Sequence, residues 1–141
     1  LSVKPGETLQ VAVALDIDDG WHLYGRNPGA AFLVPSTVSV EKSDFLVAGE
    51  VVAPEPHQAF DTILKQTLST YTGRIWFRIP VTASAGAPVR SVTLALNIKT
   101  QACDKSRCLP PEATPVRILL QIDPAAPPEV RHPEIFGTSR K

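Results

Sequence analysis

Cysteine is scarce in this chain, methionine is absent, and the charges cancel: 141 residues hold two cysteines, no methionine, 14 lysines and arginines and 14 acids. Two thiols cannot build the multi-bridge framework of a small secreted scaffold. Nor do they close a structural zinc site, which takes four ligands, because His22, His57 and His132 lie far from them at no zinc-binding spacing. No metal and no organic cofactor is expected. The balanced charge leaves no basic or acidic footprint, which argues against nucleic acid and anionic lipid as partners. No apolar run approaches the ~20 residues of a membrane-spanning helix, so direct insertion into a bilayer is not expected. The N-terminus has neither an initiator methionine nor a charged-then-apolar signal segment, and the chain is expected to be a mature piece of a longer protein.

Proline, in contrast, is abundant. Fourteen prolines are roughly twice the average share, and they interrupt every long helical pattern. Between the prolines the chain alternates. Leu9, Val11, Val13, Leu15 and Ile17 share one parity, with Gln10, Ala12, Ala14 and Asp16 on the other, and Asp18-Asp19-Gly20 closes the strand with turn chemistry. Ile75, Phe77, Ile79 and Val81 read the same way, as do Val92, Leu94, Leu96 and Ile98, and Val116, Ile118, Leu120 and Ile122. Weaker strands are expected at Trp21 to Tyr24, Phe32 to Val40, Phe45 to Val52 and Leu64 to Tyr71. Seven or eight short strands at roughly ten-residue spacing point to an all-β, immunoglobulin-like antiparallel β-sandwich. One domain is expected over residues 1–123, followed by a Pro-rich linker or tail at 124–141. Arg74, Trp76 and Arg78 are expected on a sheet surface.

The two cysteines, Cys103 and Cys108, stand in the run Gln101-Ala102-Cys103-Asp104-Lys105-Ser106-Arg107-Cys108-Leu109-Pro110-Pro111-Glu112. If the strand from Val92 runs on unbroken, Cys103 shares the outward face of Asn97, Lys99 and Gln101. Flanking a tight hairpin, the pair can reach the α-carbon separation that a disulfide needs. So short a loop removes little unfolded-chain entropy, which makes stability a weak reason for a bond there. Spacing alone leaves a hairpin staple and a redox-exchange pair both open. Lys99, Lys105 and Arg107 favour a thiolate, whereas Asp104 and Glu112 oppose it.

Three segments, in order, carry a resemblance. Asp19-Gly20-Trp21-His22-Leu23-Tyr24 is similar to a Gly-aromatic-aromatic-Leu-Tyr stretch, Gln58-Ala59-Phe60 precedes the Tyr71-to-Val81 region, and Cys103 to Glu112 ends in Cys-x-Pro-Pro-Glu. Together they resemble the N-terminal periplasmic domains of the bacterial thiol:disulfide interchange protein DsbD. That resemblance implies an immunoglobulin-like domain whose cysteine pair passes electrons from a membrane-embedded transporter module to thioredoxin-fold proteins in the periplasm, a role linked to cytochrome c biogenesis. It also implies transporter and thioredoxin-like modules elsewhere in the same full-length protein.

By the same resemblance Cys108 forms the intermolecular bond and Cys103 resolves it, Tyr24 and His22 lie beside the pair, and Phe60, with Gln58 before it, belongs to a cap loop whose ring covers the disulfide. The composition from Pro54 to Asp61 reads as a loop, in keeping with such a cap. The chain departs from the best-known member, which spaces its cysteines by five residues, has tyrosine at the position of His22, and has acidic residues at those of Gln58 and Ala59. From a different class, a non-catalytic β-sandwich binding or spacer module with a structural disulfide fits the same fold.

Overall fold

Side chains of one parity on the long strands meet in the interior, and those of the other face water, except on β2, where Ala12 and Ala14 are buried as well. The computed structural model describes residues 1–125 and 134–139. Its strands are β1 (Ser2–Val3), β2 (Thr8–Ile17), β3 (Leu23–Tyr24), β4 (Thr37–Val40), β5 (Leu46–Ala48), β6 (His57–Asp61), β7 (Gln66–Tyr71), β8 (Arg74–Ala83), β9 (Arg90–Thr100), β10 (Glu112–Ile122) and β11 (Glu134–Ser139). Among the described residues no helix is long and apolar enough to cross a membrane.

The strands form two four-stranded sheets, β1-β10-β9-β4 and β11-β2-β8-β5, and a third sheet of three strands, β3-β7-β6. On β9, Val92, Leu94, Leu96 and Ile98 point inward while Thr93, Asn97 and Lys99 are exposed. On β8, Ile75, Phe77, Ile79 and Val81 do the same from the opposite sheet. These two inner faces and that of β2 pack into one core, the arrangement of an immunoglobulin-like sandwich. Phe77, fully buried there, is the largest of its fully enclosed side chains, and replacing it with alanine should cost about 3–5 kcal/mol. The ladders are antiparallel except where β1 joins β10 and β11 joins β2. Pro80 is tolerated within β8 because β5 ends opposite Val81 and the chain beyond it uses only the proline carbonyl, which accepts the Gly49 N–H at 2.7 Å.

Several local expectations are corrected. The segment Phe32 to Val40 is a strand only from Thr37, since Pro35 and the turns before it hold the chain out of the sheet. His57–Asp61 is a strand, not a loop: β6 pairs with β7 from His57↔Thr70 to Asp61↔Gln66, a two-stranded hairpin extended into a sheet by β3. Within the stretch read as linker, Glu134–Ser139 runs parallel to β2; residues 126–133 and 140–141 lie outside the described residues. Cys103 does not face outward. β9 ends at Thr100, and Gln101, Ala102 and Cys103 are all buried, so the alternation that placed Cys103 on the solvent face stops three residues short of it.

Candidate active site

The cysteine hairpin begins where β9 leaves its sheet. Past Thr100 the chain turns toward the three-stranded sheet, and Cys103 pairs its backbone with His22: the His22 N–H donates to the Cys103 carbonyl at 2.9 Å and the Cys103 N–H to the His22 carbonyl at 3.1 Å. This pairing draws Cys103 into a small apolar cluster with Tyr24, Leu33 and Leu68, distinct from the main core, where it is 1% exposed. Cys108, on the returning arm, is exposed. The two are joined by a disulfide with their α-carbons 4.0 Å apart. One cysteine is therefore walled in and the other open.

The turn between them is tightly held. The Asp104 carboxylate accepts the N–H groups of Ser106 and Arg107, both at 2.8 Å, and the Ser106 hydroxyl at 3.2 Å, while the Asp104 N–H donates to the Arg107 carbonyl at 2.9 Å. Those backbone donors, Ser106 first, hold the Asp104 carboxyl below its usual range. The Arg107 guanidinium lies 5.8 Å from the centroid of the Trp21 ring, a cation–π contact that ties the turn to a core residue.

Beneath the hairpin, Gln101 performs a role that the sequence does not announce. Its side-chain oxygen accepts the Val34 N–H at 2.9 Å and its amide donates to the Leu109 carbonyl at 3.3 Å. With the Leu109 N–H bonded to the Ala102 carbonyl at 2.9 Å, it joins the loop before β4 to the arm that carries Cys108. Only the burial of a glutamine one residue past the strand end could have signalled this, and a sequence does not display burial.

An open cavity of about 220 Å³ lies against the disulfide, walled by Tyr24, Phe32, Leu33, Ile63 and Leu64. The wall residues come from two segments. The loop carrying Phe32 and Leu33 is pressed onto β7 at Gly29, whose φ is +112° and where a Cβ would stand 2.5 Å from the Thr67 carbonyl oxygen, so glycine is required. The tip of the β6–β7 hairpin is ordered by Asp61, whose carboxylate accepts the N–H groups of Ile63 at 2.8 Å and Leu64 at 2.9 Å. Phe32 and Ile63 are exposed, so one side of the rim is apolar, while Lys105 and Arg107 of the cysteine turn make the other side charged.

His22 and Tyr24, two residues apart on one face, meet here. The His22 Nε2 lies 2.8 Å from the Tyr24 hydroxyl, and the rings are edge-on with centroids 5.1 Å apart. Burial pushes the imidazole below its usual value against the pull of Asp61 and Asp104. Burial also pushes the Tyr24 phenol up to about 12, with Asp61 adding to the effect. Both side chains line the cysteine cavity. Phe60, 65% exposed, does not: it lines a neighbouring cleft of about 440 Å³ with His22, Asp61, Asp104 and Lys105. Gln58 is farther out, donating from its amide to the Ser69 hydroxyl at 3.0 Å on the adjacent strand. The structure thus brings Cys103, Cys108, Tyr24 and His22 together, sets Phe60 to one side, and leaves Gln58 off the cavity wall. Phe32, Ile63 and Leu64 are wall residues that sequence reading did not single out as site residues; their signal, short apolar runs between turn formers, is weak. Among the described residues no group of three or more histidine, cysteine and acidic side chains gathers as a metal site would require.

A cysteine pair with one sheltered and one open sulfur is equipped for thiol–disulfide exchange, in which access selects the sulfur attacked. A family match points the same way. The family described as "Thiol:disulfide interchange protein DsbD, N-terminal" matches residues 1–120. A similar solved structure is the N-terminal domain of Neisseria meningitidis DsbD in its reduced form, with a TM-score of 0.48 and 17% identity, covering 77% of this chain and 78% of that one. No curated protein matches the sequence.

Proposed function

This chain belongs to the family of N-terminal domains of the thiol:disulfide interchange protein DsbD, and we propose that it relays electrons to thioredoxin-fold proteins outside the cytoplasmic membrane through reversible opening of the Cys103–Cys108 disulfide. The observation that carries the reading is the unequal exposure of the two cysteines, Cys103 being enclosed and Cys108 open. In the reduced domain the Cys108 thiolate attacks one sulfur of a partner disulfide. That bond breaks, the other partner sulfur leaves as a thiolate, and a mixed disulfide forms. Cys103 then attacks the Cys108 sulfur, the second partner thiolate leaves, and the partner has gained the two electrons that the domain has lost. A membrane-embedded module of the same full-length protein restores the dithiol.

The exchange unit is residues 1–123, and Glu134–Ser139 of the tail that follows it pairs with its strand β2. The β6–β7 hairpin acts as the cover of the pair: Ile63 and Leu64 stand on the cavity wall, Phe60 flanks it from the adjoining cleft, and Gln58 ties β6 to β7. The apolar rim of Phe32 and Ile63 is the surface that a partner meets. The test is trapping. With Cys103→Ser, a thioredoxin-fold partner lacking its own resolving cysteine should accumulate as a stable mixed disulfide through Cys108, and with Cys108→Ser it should be trapped weakly. Equal trapping, or stronger trapping through Cys103, would contradict the assignment.

A further inference from the structure

Cys103 poses a chemical difficulty that the site must answer. Before it can attack Cys108 its thiol must lose a proton, yet it is 1% exposed in an apolar cluster, and apolar burial disfavours a thiolate. Water has poor access to it. Tyr24 shares both the buried cluster and the cavity wall with Cys103, and its hydroxyl is bonded to His22 Nε2 at 2.8 Å. His22 in turn faces both the cysteine cavity and the larger cleft beside it, so one imidazole bridges the enclosed sulfur and the solvent side.

We propose that Tyr24 and His22 form a proton relay that deprotonates Cys103 during resolution of the mixed disulfide. This rests on the exchange reading above. The Cys103 S–H bond breaks and its proton passes to the Tyr24 oxygen as the Tyr24 proton passes to His22 Nε2, leaving tyrosine neutral and histidine as imidazolium. The sulfur's electron pair forms the bond to Cys108, the bond from Cys108 to the partner sulfur breaks, and that sulfur leaves as a thiolate. The imidazolium gives up its proton through the outer cleft. The charged groups facing His22 are suited to the cycle: Asp61 on β6 and Asp104 in the cysteine turn are close enough to stabilise the imidazolium, with Lys105 beside the same cleft as the opposing charge. Burial keeps the resting imidazole neutral and ready to accept. Tyr24 touches the reacting thiol's cluster, whereas His22 acts through Tyr24.

The test uses the reduced chain and an aromatic disulfide, 5,5′-dithiobis(2-nitrobenzoate). Attack by Cys108 releases one coloured thiolate and ring closure by Cys103 releases the second; this leaving group departs without needing a proton, so the second phase reports deprotonation of Cys103. In the wild type the second rate should fall as pH drops below the ordinary histidine value of 6.5. With His22→Gln, which retains a hydrogen-bonding group but no basic nitrogen, the ratio of the second rate to the first should fall about 100-fold at neutral pH, and the histidine inflection should vanish, leaving a rate that simply rises with the Cys103 thiolate fraction as pH increases. Tyr24→Phe, which removes only a hydroxyl, should do the same and guards against a folding defect in the first variant. An unchanged ratio in either variant, a histidine inflection that persists in His22→Gln, or equal slowing of both phases would overturn the relay while leaving exchange intact. A wild-type chain that never releases the second thiolate would overturn the exchange reading, and the relay with it.

Discussion

Replacing Gln101 with alanine should loosen the cysteine hairpin without touching either sulfur. The substitution removes two hydrogen bonds, leaving the Val34 N–H and the Leu109 carbonyl without their partner. A buried polar group stripped of its partner costs about 1–3 kcal/mol, and the 3.3 Å bond to Leu109 is the weaker of the two. Since an alanine leaves room for water to reach both groups, the sum should fall near the low end, about 2 kcal/mol. For a domain of this size that corresponds to a fall in melting temperature of roughly 6–10 °C.

Because the lost bonds join the loop carrying Leu33 to the arm carrying Cys108, local opening over Cys103 should become easier as well. If all of the ~2 kcal/mol acts on that opening, alkylation of Cys103 in the reduced protein quickens by up to about 30-fold. Thermal melts followed by circular dichroism, with mass-resolved alkylation of each cysteine, read both quantities. A melting temperature that stays put together with an unchanged Cys103 rate would refute the role given to Gln101.

Two further outcomes are expected. Leu64→Ala and Ile63→Ala should speed reduction of the disulfide by a small thiol several-fold, and Phe60→Ala should do so less, because the first two wall the cavity and the third lines the adjoining cleft; a larger effect from Phe60→Ala would move the cover back to that ring. Stability should fall as pH drops through 6.5, since His22 takes its proton at a lower pH in the folded state than in the unfolded chain, which then binds more protons; it should also fall as pH rises from 10.0 toward about 12, where the unfolded chain ionises the residue that folding keeps as the neutral Tyr24 phenol. Denaturant titrations across both windows check this, with His22→Gln expected to remove its own contribution from the acid side.

The long strands β2, β8, β9 and β10 were legible because each buries one parity in a core between two sheets, which writes a period of two into the residues. β6 was not: His57 to Phe60 are all exposed, so no burial pattern distinguishes that strand from a loop, and its existence depends on pairing with β7. The orientation of Cys103 was misread for a related reason. Parity carries along a strand only while the ladder lasts, and here it ends at Thr100, after which the pairing with His22 decides where Cys103 goes. The meeting of His22, Tyr24 and the cysteines followed from motif resemblance and could not have followed from periodicity, because about eighty positions separate them. Gln101, Phe32 and Leu64 matter through contacts with distant segments, and neither composition nor spacing encodes such contacts.

The reduction potential of the Cys103–Cys108 pair tests the central claim most directly. Equilibration of the isolated chain against dithiol and glutathione buffers, with the free thiols quantified by mass, gives it without knowledge of the partner. An exchange-active pair should lie above about −300 mV, within reach of the thioredoxin-fold proteins it is proposed to reduce. A value below that, with a disulfide that resists those buffers, would mark the bond as a structural staple and contradict the relay.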